Sequence, residues 1–222
     1  MFFKVKTKVL KSARKHEPEL EVPVVKRIQQ LNQVNELAHE MLKVTKDLMN
    51  MFDETDGPLK NSYECYGFSL KILGSAVKAN HPEYTTFLEK QNDLYGELGH
   101  CQRIFQYNLN VKVISPLTGW ITSEYERINK EVRQLYDRKN EFDHASRDHT
   151  KEPQDVHKQL QFEIAQREYD RQLEITKMEL LRLSGIKAIH AQIYATLGCC
   201  IKDYTLSVVT VFNKASALVK MD

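Results

Sequence analysis

Apolar residues recur every three or four positions along most of the chain, and this spacing constrains the fold more than any other feature. From Val24 to Phe52 the spacing is that of a heptad repeat, and similar stripes return in two later stretches. Such a stripe lies on one side of an α-helix and favours pairing with other helices. Only 8 Gly and 6 Pro occur in 222 residues, which fits long helices. The pattern predicts an all-α chain, an antiparallel three-helix coiled-coil bundle.

Turn-forming residues divide this pattern into segments. The predicted segments are a basic leader over 1–22, then a helical domain over 23–222 with a first helix over 24–52, an insert near 53–80, a second helix from 83, a tip loop near 143–153 and a third helix over 154–216. We expect Pro116 to kink the second helix, because proline removes a helical hydrogen bond and clashes with the preceding turn. The stripe resumes beyond it, so the segment is one bent helix.

The length of the third helix bears on assembly. A helix of about 60 residues extends about 90 Å, more than a compact core requires. The second and third helices can pair with each other, but the first helix and one end of the pair remain uncovered. We therefore expect a homodimer that buries these apolar faces. No run approaches the ~20 apolar residues of a spanning helix, so we expect a cytoplasmic protein, peripheral to membranes.

Charge and composition exclude several classes of function. The 32 Lys and Arg nearly balance the 30 Asp and Glu, so the chain shows no sign of nucleic-acid binding. The 4 Cys lack zinc-ligand spacing, and three histidines near the predicted tip, His144, His149 and His157, are interpreted as surface residues. No glycine-rich phosphate loop and no Ser, His and Asp constellation is found. We expect no catalytic residues, no metal and no cofactor.

The first fifteen residues contain six cations and no acid. Drawn as a helix, they separate bulky apolar side chains from most of the lysines, which is typical of an interfacial helix that inserts between lipid headgroups. The predicted membrane-contacting residues of this leader are Phe2, Phe3, Lys4, Lys6, Lys8, Lys11, Arg14 and Lys15. A disordered basic arm, or a short strand, remains an alternative, since Lys4 to Val9 also alternates with period two.

A second cationic cluster surrounds the predicted tip. Its members are Lys130, Arg133, Arg138, Lys139, Arg147, Lys151 and Lys158. Each cation near an anionic leaflet contributes about 1 kcal/mol, so together they could hold a dimer on a membrane. Acids alternate with these bases along the same stretch, so an ordinary solvated helix face is an equal alternative.

The stretch from Ile114 to Asp143 resembles the central helix of BAR domains. The resemblance rests on the Pro116-Leu117 step, the spaced apolar residues from Ile121 to Leu135, the basic pair Arg138-Lys139 and the Phe142-Asp143 step. It extends to the layout of the whole chain, with a basic leader, a broken first helix, a kinked second helix, a polar tip and a long third helix.

The interruption within the first helix resembles the endophilin branch of this family. The resemblance implies a crescent-shaped antiparallel homodimer whose concave side binds curved anionic bilayers, while the leader and the insert wedge into them. Between Asp53 and Val77 the insert carries only Lys60 and Lys71 as cations, which we take as further membrane contacts.

The resulting hypothesis is a scaffold that senses or generates curvature on anionic phospholipid membranes, in endocytosis or vesicle trafficking. The alternative hypothesis is a coiled-coil protein-interaction dimer or small-GTPase effector that does not remodel membranes. Small GTPases and endocytic proteins are the protein partners that these hypotheses allow.

Overall fold

The computed structural model describes residues 20–52 and 61–219, and helices account for nearly all of them. The helices are α1 (Val22–Asn50), α2 (Ser62–Val77), α3 (Pro82–Leu109), α4 (Ser115–Gly119), α5 (Tyr125–Lys151), α6 (Val156–Leu181) and α7 (Leu183–Val219). No strand occurs in the described ranges. The predicted all-α class is confirmed.

The seam predicted for the first helix lies where the heptad pattern put it. Leu31, Val34 and Ala38 are buried, and Thr45 completes the series with no exposed surface. The Thr45 hydroxyl donates to the Met41 carbonyl oxygen at 2.7 Å, so this polar residue keeps a partner within its own helix. The sequence predicted this element to within a few residues at each end.

Pro116 interrupts the helical hydrogen-bond pattern without ending the helix. Two π turns, Asn110–Ile114 and Trp120–Glu124, flank the short α4 that contains it. Backbone N–H groups of Ser115 and Tyr125 donate to the carbonyl oxygens of Asn110 and Trp120, each five residues earlier. These wider turns accommodate a residue that has no N–H and whose ring crowds the preceding turn. The prediction of one continuous helix through Pro116 is confirmed.

Two boundaries in the second half of the chain differ from the prediction. The tip loop begins later than 143, because α5 continues to Lys151 and the loop is limited to residues 152–155. Ion pairs one turn apart, such as Lys139 with Asp143 and His144 with Asp148, support the helix through its polar stretch. The third helix is also divided, since at Arg182 the N–H donates to the Glu179 carbonyl oxygen at 3.2 Å, a tightened turn.

The described contacts divide the chain into two units. Unit 1 contains residues 1–32 and 126–183, and unit 2 contains residues 33–125 and 184–222. The core of unit 1 is formed where the start of α1 lies on α5 and α6. Its buried side chains include Val24, Ile28, Leu31, Ile128, Val132, Leu135, Leu173, Thr176 and Leu180.

Hydrogen bonds and an ion pair fix the register of the unit 1 helices. The Thr176 hydroxyl donates to the Glu131 carbonyl oxygen at 3.3 Å, and Arg127 pairs with Glu179 at 2.7 Å. This pairing lowers the pKa of the Glu179 carboxyl, chiefly through the hydrogen bond from Arg127. Both contacts join α5 to α6.

In unit 2, α2 packs antiparallel on the first half of α3. Three glycines lie along this contact, and a Cβ on Gly67, Gly74 or Gly99 would meet atoms of the opposite helix within 4 Å. The fully buried Asn61 closes one end, where its amide donates to the Gly99 carbonyl oxygen at 3.0 Å and its Oδ1 accepts from the Glu64 N–H at 3.0 Å. Residues 62–77 of the predicted insert are therefore a packed part of the helical body.

Aromatic rings fill the interior of unit 2. Phe105 stacks on Tyr204 with ring centroids 4.7 Å apart, and Phe52 contacts both rings edge-on. Trp120 is 6% exposed and meets His190 edge-on at 5.0 Å. Trp120 thus anchors the packing of this part of unit 2. Burial lowers the pKa of the His190 imidazole, because the charged form would lose its hydration.

Candidate membrane-contacting surfaces

The predicted membrane contacts fall partly outside the described residues. All eight leader residues, Phe2, Phe3, Lys4, Lys6, Lys8, Lys11, Arg14 and Lys15, and Lys60 of the insert lie there. Their assignment stays a prediction. The remaining eight residues are described, and each has a defined environment.

Four cations share the outer side of α5. Lys130, Arg133, Arg147 and Lys151 are exposed and follow one another at spacings of three, fourteen and four residues, which keeps them on one broad helix face. The Arg133 side chain is 66% exposed and that of Lys151 is 74% exposed. Their carboxylate contacts are long, at 3.6 Å to Glu126 and 3.7 Å to Asp148. Arg147 also donates from Nε to the Asp143 carbonyl oxygen at 3.0 Å. All four side chains are exposed on this face, where they could contact a charged surface.

Three other members of the cluster point elsewhere. Lys139 is 15% exposed, pairs with Asp143, and holds its ammonium 5.3 Å from the centre of the Phe142 ring and 5.6 Å from that of Tyr169. This position gives Lys139 a structural role, because its charge is already compensated by a carboxylate and two ring faces. Its assignment as a membrane contact stays a prediction.

Arg138 and Lys158 are also engaged within unit 1. Arg138 donates to a Glu141 oxygen at 2.6 Å, and Lys158 is 28% exposed and pairs with Glu152 at 2.5 Å across the 152–155 loop. Hydrogen bonds that these cations donate to the carboxylates raise the pKa of both. Residues five apart on a helix point in different directions, so Arg138 does not share the face of Arg133.

The net charge of this region is close to zero. Between Glu126 and Leu183 the sequence contains twelve Lys and Arg against thirteen Asp and Glu. The basic cluster is therefore a local face on a nearly neutral pair of helices. By contrast, residues 1–15 contribute six cations and no acid, which leaves 26 cations against 30 acids in the remainder of the chain. The positive charge of the chain is concentrated in its leader.

Of the two membrane contacts predicted in the insert, Lys71 lies among the described residues. It is exposed on α2, beside an apolar surface on the same helix to which Phe68 and Ile72 contribute, 49% and 56% exposed. A lysine beside apolar side chains suits a membrane interface, and it also suits a protein contact.

Exposed apolar side chains occur on three further helices of unit 2. On α1, Leu37, Val44 and Met51 repeat at seven-residue spacing and are 57%, 54% and 79% exposed. The others are Ile104, Tyr107 and Val111 on α3 and Ile189, Ile201, Leu206, Val209 and Phe212 on α7. Several of these residues belong to the predicted apolar stripes, but in the single chain their side chains are exposed.

One stretch of the chain is long and apolar enough, by length and composition alone, to cross a membrane. It lies within the helical residues Val156–Ser216, and only 11% of its qualifying 18-residue window is buried in the chain. The sequence analysis expected no such segment. This window is apolar but largely uncovered in the single chain. Lys202 and Asp203 lie within α7 and interrupt its apolar sequence.

The histidines near the tip form no metal site with their neighbours. His144 is exposed and contacts Asp148 at 3.0 Å, and His149 stacks on Phe162 at 5.4 Å. Within the part of the chain that the structure describes, no three His, Cys, Asp or Glu side chains are positioned to hold a metal ion.

Comparison with known proteins identifies the family. A family model of the BAR domain matches residues 7–193. A search of curated protein sequences gives no match. BAR domains in general dimerise, bind membranes and sense or generate membrane curvature. Because the match covers most of the 222 residues, the chain belongs to the BAR domain family.

Proposed function

We propose that this chain acts as a homodimeric scaffold that senses or generates curvature on anionic membranes during endocytosis or vesicle trafficking. The observation that carries the proposal is the division of charge within a BAR-family chain. The first fifteen residues of the leader contain six cations, seven apolar or aromatic residues, among them Phe2 and Phe3, and no acid, while the rest of the chain is net acidic. Attraction to anionic lipid is therefore assigned mainly to the leader.

The leader and the outer face of α5 would contribute differently. Aromatic side chains of the leader would insert at the headgroup level, where burial of apolar area adds to electrostatic attraction. The cations on the outer face of α5 would remain in the aqueous layer and contribute about 1 kcal/mol each at most. Neighbouring acids reduce that contribution, since the field near the surface depends on all charges within about 8 Å at physiological salt.

Dimerisation would cover the exposed apolar residues of unit 2. The outward stripes of α1, α3 and α7 together expose more large apolar side chains than a stable monomer usually does. In a two-fold dimer each protomer contributes the same stripes to the interface, so the stripes of both copies would be buried. In this proposal the apolar stretch of α7 contacts a second copy rather than spanning a bilayer.

The same features favour an endophilin-like member of the family. The basic amphipathic leader and the interruption of the first helix between Phe52 and Asn61 support that assignment. The proposed mode of action depends on shape, charge and shallow insertion, with no covalent step and no cofactor. The protein would accordingly be peripheral to cytoplasmic membrane faces.

A second candidate function is a protein-interaction dimer, such as a small-GTPase effector. It is favoured by the nearly neutral α5 and α6 pair, in which Arg138, Lys139 and Lys158 already contact carboxylates. Under this alternative the dimer forms normally, but lipid is not bound. Endocytic proteins would also be suitable partners for such a dimer.

Sedimentation with liposomes distinguishes the two functions. The full chain is mixed with vesicles with and without about 30% phosphatidylserine, at low and at physiological salt, where screening differs severalfold. We expect salt-sensitive binding only to the anionic vesicles, and we expect Phe2→Glu/Phe3→Glu to remove most of it with helical content unchanged. The matched control Val156→Glu/Met178→Glu places the same charges at exposed apolar sites outside the leader. Equal binding by both variants would remove the leader from the mechanism.

A further inference from the structure

The seam between α5 and α6 is closed at one end and half open at the other. Where α1 covers it, Leu135 is fully buried and Leu173 is 6% exposed. Beyond the first described residue, Leu20, the seam continues toward the 152–155 loop with rings that are only half buried. These rings, Phe142, His149, Phe162 and Tyr169, are called the aromatic strip here.

The aromatic strip is ordered and continuous. Phe142 stacks on Tyr169 with centroids 5.5 Å apart and planes inclined by 11°, and it also contacts Phe162 at 5.6 Å. His149 stacks on Phe162 at 5.4 Å. Rings of this size at half burial leave apolar area in contact with water, and a third chain segment would remove it.

Contacts at the start of α1 show which segment leads onto the strip. The Glu21 carboxylate lies 3.6 Å from the Lys177 ammonium, and Arg27 donates to the Leu180 carbonyl oxygen at 3.2 Å. Rising residue numbers on α1 therefore match rising numbers on α6, so the two helices run in the same direction. The first described residues of α1 therefore lie near Tyr169, and the axis of α1, followed backward from Val22, points toward the loop end of the hairpin.

The length of that preceding segment matches the uncovered seam. From Val156 to Leu173, α6 extends about 26 Å at about 1.5 Å per residue. Nineteen residues precede Leu20, which span about 28 Å as a helix and more when extended. The leader can therefore reach every ring of the strip.

Charge along the strip complements the leader. On α6, Asp170 and Glu163 follow Lys177 at seven-residue steps toward the loop, so they lie on the side of the helix that faces α1. Burial raises the pKa of the Tyr169 hydroxyl, and the nearby carboxylates of Glu21, Asp170 and Asp143 raise it further. Lys139 lies over the Phe142 and Tyr169 rings but is paired with Asp143, and Glu163 lies 3.9 Å from Arg167. The side of the strip that faces α1 thus carries two carboxylates, whereas residues 1–15 bear six cations and no acid.

We propose that residues 1–15 bind in cis to the aromatic strip, with Phe2, Phe3 and neighbouring apolar side chains covering its rings and with lysines beside Glu163 and Asp170. The leader then has two alternative sites, the strip and the bilayer. The second part rests on the proposed function, whereas docking on the strip does not. If nine of ten leaders are docked, the apparent membrane affinity is reduced about tenfold, because only the free fraction can insert.

Amide hydrogen exchange of the full chain without lipid tests the docking directly. We expect residues 1–15 to exchange about tenfold or more slowly than unprotected amides. The variant Glu163→Lys/Asp170→Lys should restore fast exchange. Its control, Asp137→Lys/Glu168→Lys, makes the same charge change beside the groove on the other side of the hairpin and should leave the protection in place.

A second variant approaches the contact from the leader. Phe2→Glu/Phe3→Glu should speed exchange around Phe142, Phe162 and Tyr169 while the rest of α5 and α6 is unchanged. With anionic vesicles, the Glu163→Lys/Asp170→Lys variant should bind severalfold more tightly than its control. Unprotected exchange of residues 1–15 in the unmodified chain, or equal exchange in the two charge variants, would overturn the docking. Protection without any vesicle binding would leave the docking intact and reject the proposed function.

Discussion

Two glycines of α3, three residues apart, allow a sharp test of how α2 is held. A Cβ on Gly99 would lie 2.6 Å from the Glu64 Cγ and 2.9 Å from the Asn61 Oδ1, closer than real contacts permit. A Cβ on Gly96 would meet nothing within 4 Å. Gly99→Ala and Gly96→Ala therefore have the same intrinsic effect on the helix but opposite packing consequences.

The expected magnitudes follow from the contacts. Alanine in place of an exposed helical glycine stabilises by up to about 1 kcal/mol, which we expect for Gly96→Ala. At Gly99 the same gain is opposed by displacement of Asn61, which breaks a buried hydrogen bond and the α2 cap, at about 1 kcal/mol each. Strain from forcing Asn61 and Glu64 away from the new Cβ costs a further amount of about 1 to 3 kcal/mol. The net loss for Gly99→Ala is about 2 to 4 kcal/mol.

Chemical denaturation of the two variants, monitored by circular dichroism, measures the difference. The concentration of protein must be held constant, because the apparent stability of a dimer depends on protomer concentration. Hydrogen exchange should also show loss of protection confined to α2 and the facing part of α3. If Gly99→Ala were as stable as Gly96→Ala, the close packing of α2 on α3 would be refuted.

Two further predictions concern the interior and the exposed surface of unit 2. The buried His190 has a lowered pKa, so the unfolded chain binds a proton more readily, and stability should fall as the pH drops below about 6.5, by at most about 1.4 kcal/mol at pH 5.5. His190→Phe should remove this part of the pH dependence in denaturation curves, whereas the exposed His100→Phe should retain it. Val44→Glu should weaken the dimer about thirtyfold or more in analytical ultracentrifugation, because a loss of about 1 kcal/mol occurs in both copies. An unchanged dimer dissociation constant would show that Val44 of α1 lies outside the dimer interface.

Much of the helical layout could be predicted from local pattern. The heptad spacing around Leu31 and Ala38 required burial along one face, and the buried residues of α1 follow it. Pro116 predicted an interruption of the hydrogen-bond pattern of the second helix. The kind of disturbance, a pair of flanking π turns, depends on how the carbonyl groups of both adjoining turns are satisfied, which no residue spacing encodes.

The tip was misjudged because polar composition was taken as evidence of a loop. The residues after Asp143 are mostly polar, yet contacts such as that of His144 with Asp148 support the helix from its own surface. Only Pro153 and the capping Asp155, whose side chain accepts from the His157 and Lys158 N–H groups, mark the true turn.

The environment of each cation could not be predicted from the sequence alone. Arg138 and Lys139 are adjacent in the chain, yet Arg138 pairs with an exposed Glu141 and Lys139 lies over two rings. Helical periodicity separates Arg138 from the face of Arg133, but the depth of Lys139 depends on the position of Tyr169 across the hairpin. The Asn61 contact with Gly99 was likewise missed, because it joins residues 38 positions apart.

The most direct test of the central claim is vesicle binding at two diameters, followed by negative-stain imaging of the sedimented membranes. The full chain is compared on anionic liposomes of about 50 nm and about 400 nm at equal lipid area, at low and physiological salt. Preferential binding to the small vesicles, or tubules drawn from the large ones, is the result that a curvature scaffold predicts. A dimer that remains in the supernatant with both vesicle sizes and at both salt concentrations would contradict the account and favour the protein-interaction function.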